Sequence, residues 1–188
     1  MRVSSACLGP LGANCYLIEI DSGILVVDPA EDAPALRDLI GERSVDAVVL
    51  THGHFDHVGG AWSIDGAPVA LHPADLPFVD QEFPGHEPIE RRLEDGIEIL
   101  PGVEVIHLPG HSPGSVALRI GASLFVGDVL FAGSIGRTDL PGSSPEAMAA
   151  SLRRLASLPG DYDVYPGHGP ATTLEIERAT NPYLRGVA

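Results

Sequence analysis

Thr51-His52-Gly53-His54-Phe55-Asp56-His57-Val58-Gly59-Gly60 places three imidazoles and a carboxylate within six positions, directly after the apolar run from Asp46 to Leu50. A run that short, with Val48 beside Val49, predicts a buried strand. Side chains two apart on an extended segment point the same way, so His52 and His54 are expected to reach one ion together. Asp56 and His57 lie beyond the strand, where the chain can turn and face a neighbouring ion. The bland alternative is a polar loop with Asp56 as a helix N-cap. Four potential ligands at this spacing, at the end of a strand, argue against it.

A chain of 188 residues suits one domain and can bury a proper core. No stretch approaches the apolar length of a membrane span. Met1 to Cys15 carries one Arg and no sustained apolar segment, a poor secretory signal, so a cytoplasmic protein is expected. Cys7 and Cys15 make no disulfide framework and are expected as buried thiols. The net charge is −15 and all eleven basic residues are Arg. Such a surface repels phosphate backbones and anionic lipid, which disfavours nucleic-acid and membrane partners. No feature of the sequence specifies an oligomeric state.

Residues 2–8, 13–20 and 23–27 read as an antiparallel meander, punctuated by Gly9-Pro10-Leu11-Gly12 and Asp21-Ser22-Gly23. A helix is expected over 33–41, another from near His57, and a brief strand at 69–71. Residues 73–96, with Pro77, Pro84 and Pro88 among many acids, read as a loop-rich excursion bordering the site. Asp95-Gly96 signals a hairpin turn into strands 97–100 and 103–108. Strands at 115–120 and 123–127 precede a Gly-rich loop over 132–143. Ser144-Pro145-Glu146 marks a helix start, running to about Leu158. A strand at 162–165 and a helix at 173–180 close the chain.

Pro-Gly-His-x-Pro occurs three times, around His86, His111 and His168. Only the second and third follow apolar runs, and a ligand needs a rigid base. His111 and His168 therefore qualify and His86 does not, while His72 and His107 read as structural. Apolar runs end at Asp28, His52, Asp128 and His168, and α/β sheets place ligands at strand C-terminal ends. Alone, Asp128 would be an ordinary turn acid.

Together these residues resemble the metallo-β-lactamase superfamily. The resemblance implies an α/β fold, an αββα sandwich of two mixed β-sheets flanked by helices, in one domain over 1–188. It assigns His52, His54 and His111 to one divalent metal, and Asp56, His57 and His168 to another. Asp128 bridges them, and Asp28 stands behind the ligands. Zinc suits the two sites first, with iron or manganese next. Asp56 would also orient a hydroxide held between the ions.

Gly133-Ser134-Ile135-Gly136-Arg137-Thr138-Asp139, Tyr165-Pro166-Gly167-His168-Gly169-Pro170 and Thr180-Asn181-Pro182-Tyr183-Leu184 are together similar to glyoxalase II-like hydrolases, which cleave thioesters such as S-lactoylglutathione. The resemblance is to the short branch, lacking the helical C-terminal domain that binds glutathione. Arg137 is the best-placed cation by motif to hold substrate, and pairing with Asp139 is its structural alternative. Iron-dependent persulfide dioxygenase is the second reading, which Gly169 after His168 disfavours. A hydrolase acting on lactones or esters and a non-catalytic metal-binding module are further alternatives.

Overall fold

The computed structural model describes residues 1–31 and 33–185. The chain forms two compact units, Met1–Leu93 and the residues from Glu94 onward.

In the first unit β1 (Arg2–Leu8), β2 (Ala13–Ile20) and β3 (Gly23–Val27) form the expected antiparallel meander. The helix α1 (Pro34–Ile40) begins on Pro34, whose missing N–H costs nothing in a first turn. It leads to β4 (Ala47–Val49), which lies parallel to β3 and is buried on both faces, as an all-apolar run requires. The one-turn α2 (Phe55–Val58), β5 (Val69–Leu71), α3 (Leu76–Glu82) and β6 (Arg91–Arg92) follow, and the sheet order is β1-β2-β3-β4-β5-β6. Leu17, Val26, Val48, Leu50 and Leu71 anchor the core of this unit. Burying side chains of this size stabilises by about 1.5–3 kcal/mol each.

Three readings of this unit change. The helix after the His motif starts at Phe55 and contains His57, rather than beginning there. The 73–96 excursion is not all loop, because Pro77 sits in the first turn of α3, where proline is tolerated. Cys15 is buried but Cys7 is exposed, since β1 is the sheet's edge strand.

The second unit runs β7 (Glu104–His107), β8 (Val116–Ile120), β9 (Ser123–Gly127), the hairpin β10 (Leu130–Phe131) and β11 (Ser134–Ile135), α4 (Pro145–Ala156), β12 (Asp163–Pro166), β13 (Thr172–Thr173), α5 (Leu174–Thr180) and α6 (Pro182–Arg185). Its main sheet has the order β13-β12-β9-β8-β7, mixed because β12 runs parallel to β9 while the other pairs are antiparallel. Ser144 caps α4 by accepting from Ala147 N at 3.1 Å, and Met148, Leu152 and Leu155 form its buried face. The expected strand 97–100 is reduced to a single bridge between Glu98 and Glu104, because the chain reverses tightly where Val103 N donates to Leu100 O. The Gly-rich loop over 132–143 begins inside a hairpin, closed by the two-residue turn Ala132-Gly133.

Candidate metal centre

In the first unit the ligand candidates are organised by Asp28. Its backbone has φ 52°, a left-handed conformation that aspartate tolerates better than most residues. Its N–H donates to Val49 O at 3.0 Å, and the buried carboxylate turns onto the segment after β4. Oδ1 accepts from Thr51 N at 2.7 Å, and Oδ2 from Thr51 Oγ1 at 2.7 Å and His57 Nδ1 at 3.0 Å. Leu50 N still joins the sheet by donating to Ala70 O, but Thr51 N is taken by the carboxylate, so the ladder ends before His52.

His52 and His54 therefore converge through a turn, not through strand alternation as the spacing suggested. Their ring centroids are 4.8 Å apart, and His52 and His57 are 4.3 Å apart. Asp75 holds that turn, its fully buried carboxylate accepting from Gly53 N at 2.9 Å. A Cβ at position 53 would lie 2.7 Å from Asp75 O, so only glycine fits between the two imidazoles. Phe78 of α3 packs on His54 at 5.5 Å, which puts the 73–96 excursion against that imidazole. Asp56 Oδ2 lies 3.7 Å from His57 Nε2.

These contacts decide which imidazole nitrogen carries the proton. A carboxylate only accepts, so His57 holds its hydrogen on Nδ1. Thr51 Oγ1 gives its hydrogen to Asp28 and so accepts, at 3.2 Å, from His52 Nδ1. One aspartate thus directs both Nε2 lone pairs away from itself, one of them through a threonine hydroxyl. Asp28, His52 and His57 also offer atoms within 4.8 Å of one another. Asp28 is nonetheless an orienting group, since both its oxygens accept hydrogen bonds from Thr51 or His57.

In the second unit Asp128 follows β9, with His111 and His168 on either side of it. His111 Nε2 lies 3.5 Å and His168 Nε2 3.7 Å from the same Asp128 Oδ2. His111 Nδ1 donates to the main-chain carbonyl of Arg137 at 2.9 Å, again leaving Nε2 as the donor atom toward an ion. Gly136 permits this, because a Cβ there would fall 1.8 Å from Asp128 O. Gly167 N donates to Gly127 O, pairing the His168 and Asp128 loops.

The remaining histidines have other work. His72 Nδ1 accepts from Ala74 N, His107 Nε2 bonds Pro113 O, and His86 pairs with Asp80 and stacks on Trp62. Burial, reinforced by the charge of Asp28, pushes the Cys15 thiol up, so it stays protonated at neutral pH. The Arg137 guanidinium makes two bonds to exposed Asp139, at 2.9 and 3.0 Å, which holds that carboxyl below its usual range. Thr51 and Gly136 lie in the sequence motifs but were given no role from them, and Asp75 has no local signal because its partner is 22 residues away.

Residues 8–168 match the profile of the metallo-β-lactamase superfamily. The chain belongs to that superfamily. Among superfamily relatives, the probable metallo-hydrolase YqgX of Bacillus subtilis is 35% identical over 204 residues, 95% of each chain. The hydroxyacylglutathione hydrolase GloC of Haemophilus influenzae is 32% identical, covering 91% of this chain and 92% of GloC. A crystal structure of TTHA1623 in a di-iron-bound form is 44% identical with a TM-score of 0.89, covering 96% of this chain and all of that one. The two mixed sheets with their helices are the metallo-β-lactamase fold. With superfamily membership comes the coarse chemistry, that of a metal-dependent hydrolase. Among the described residues, no helix is long and apolar enough to cross a membrane.

Proposed function

We propose that this chain is a glyoxalase II-like thioester hydrolase, a single catalytic domain acting in the cytoplasm with two divalent metal ions. His52, His54 and His111 would hold one ion and Asp56, His57 and His168 the other, with Asp128 shared. The observation that carries this reading is the approach of His111 and His168 Nε2 to one Asp128 oxygen at 3.5 and 3.7 Å. Those separations are long for a hydrogen bond. They suit ligand atoms that each lie about 2.0–2.1 Å from an ion. The donor set of imidazole nitrogens and carboxylates suits zinc, and iron or manganese next. The name of GloC supports the thioester substrate, and the di-iron form of TTHA1623 supports two ions.

When bound, the ions supply Lewis acidity and a nucleophile drawn from water at neutral pH. The protein's own part is orientation. Asp28 and Thr51 hold His52 and His57 in one tautomer, and the Arg137 carbonyl does the same for His111. Asp56 offers a carboxylate oxygen to orient the attacking water and accept its proton.

Protein purified without chelator should carry two metals per chain by elemental analysis. It should release thiol from S-lactoylglutathione at the same rate under nitrogen as in air. Oxygen uptake driven by glutathione persulfide, faster than thioester cleavage, would make the protein a dioxygenase instead.

Substrate binding through Arg137 gives a second expected outcome. Its pair with Asp139 is exposed on both sides and contributes little to stability. Arg137→Ala keeps the main-chain carbonyl that holds His111, so fold and metal content should persist. KM for the anionic glutathione ester should rise severalfold, while small neutral acyl thioesters are unaffected. An equal loss on all substrates would show that the side chain only shapes its loop.

A further inference from the structure

The Asn181-Pro182-Tyr183 segment, singled out from the sequence by resemblance alone, has a physical task in the second unit. Glu177 of α5 is a buried carboxylate, and it accepts from three donors. Gly133 N and Asn181 Nδ2 reach Oε2 at 2.9 and 2.8 Å, and Thr172 Oγ1 reaches Oε1 at 2.7 Å. Asn181, fully buried, also donates from Nδ2 to Ser134 O at 3.0 Å, and its Oδ1 accepts from Tyr183 N at 3.0 Å. Two of these contacts grip the hairpin of β10 and β11 from across more than forty residues of chain, at Gly133 and Ser134. That hairpin runs directly from Asp128 into Gly136 and Arg137. Gly136 lies against Asp128 O, and the Arg137 carbonyl fixes the His111 ring.

We propose that Glu177 and Asn181 are positioning residues for the metal centre, a clamp through which the C-terminal helix sets where Arg137 O stands and hence how His111 is aimed. A two-strand hairpin with two residues per strand is marginal by itself. Buried bonds to a carboxylate are the strong kind. Without them the β10–β11 hairpin would keep its short ladder and the apolar packing of Leu130 and Ile135 but lose its polar tie to Glu177 and Asn181, and the His111–Arg137 bond would lengthen or open. Residues one contact removed from metal ligands typically change metal affinity 10–100-fold. The clamp acts one step further out, so a loss of about tenfold is expected.

The proposal rests on the metal-centre reading, and the test separates the two. In metal-free protein labelled with ¹⁵N-histidine, the His111 Nδ1 hydrogen should be protected from exchange. Asn181→Ala should expose it while the thermal midpoint falls only a few degrees. In the metal-loaded state the same variant should bind Zn²⁺ about tenfold more weakly in competition with a chromophoric chelator, and Co²⁺-substituted protein should show an altered visible spectrum. The exchanged pair Glu177→Gln with Asn181→Asp restores the bond between the two side chains but leaves Ser134 O without its donor. It should not rescue His111 protection or metal affinity. Rescue by the exchanged pair, or unchanged His111 protection in Asn181→Ala, would reduce the pair to a staple within the C-terminal helices and overturn the proposal. If wild-type protein binds no Zn²⁺, the metal-centre reading falls, and the exchange of the His111 hydrogen still judges the clamp.

Discussion

Asp128→Asn is expected to lower thioester turnover by more than about a hundredfold, beyond the 10–100-fold cost typical of losing a group one contact away from a metal. The carboxylate presents a single oxygen to both His111 and His168. An amide halves the acceptor capacity and removes the negative charge that two cations would share. The side chain keeps its size and lies in a turn after β9, so secondary structure and thermal midpoint should change little. Elemental analysis should show depleted metal alongside the lost activity. An Asp128→Asn protein that keeps two metals and full turnover would remove Asp128 from the centre.

Asp28→Ala should damage fold and centre together. Three buried donors lose their acceptor: Thr51 N–H, the Thr51 hydroxyl and His57 Nδ1–H. Each unsatisfied donor costs about 1–3 kcal/mol. Alanine at a left-handed backbone position adds about 1 kcal/mol more. Local relaxation and water entry bring that sum, about 4–10 kcal/mol, toward the roughly 3–5 kcal/mol typical of breaking a buried charged network. Denaturant titration of metal-free protein measures that loss. Metal affinity should fall by a further 10–100-fold, because His52 and His57 lose the group that selects their tautomer. Asp28→Asn keeps one acceptor oxygen and should fall between. Wild-type metal affinity in Asp28→Ala would mean that ring packing alone orients the histidines.

Much of the centre was legible because its signals are local. The His-x-His-x-Asp-His spacing, the apolar runs ending in Asp28, Asp128 and His168, and the cap Ser144-Pro145 each lie within a few consecutive residues. Strand and helix periodicities are set by the backbone geometry of neighbouring residues, so the meander, β4, β8, β9 and α4 were expected close to where they lie. Boundaries suffered where a distant partner intervened. β4 stops before His52 because Asp28 takes the Thr51 N–H, and α3 exists although proline-rich sequence read as loop.

By itself the sequence determined the family, the identity of the seven candidate ligands and the residues ending each apolar run. Those follow from residue type and short-range spacing, which a chain carries whether folded or not. Only the tertiary structure decided which nitrogen His52, His57 and His111 present. Asp28 reaches His57 across 29 residues, Asp75 reaches Gly53 across 22, and the Arg137 carbonyl reaches His111 across 26. The same holds for the use of the Arg137 main-chain carbonyl as an acceptor beside its cationic side chain, and for the grip of Asn181 on Ser134 across 47 residues. Hydrogen bonds at such separations depend on which backbones the fold brings together, and no periodicity in the sequence encodes them.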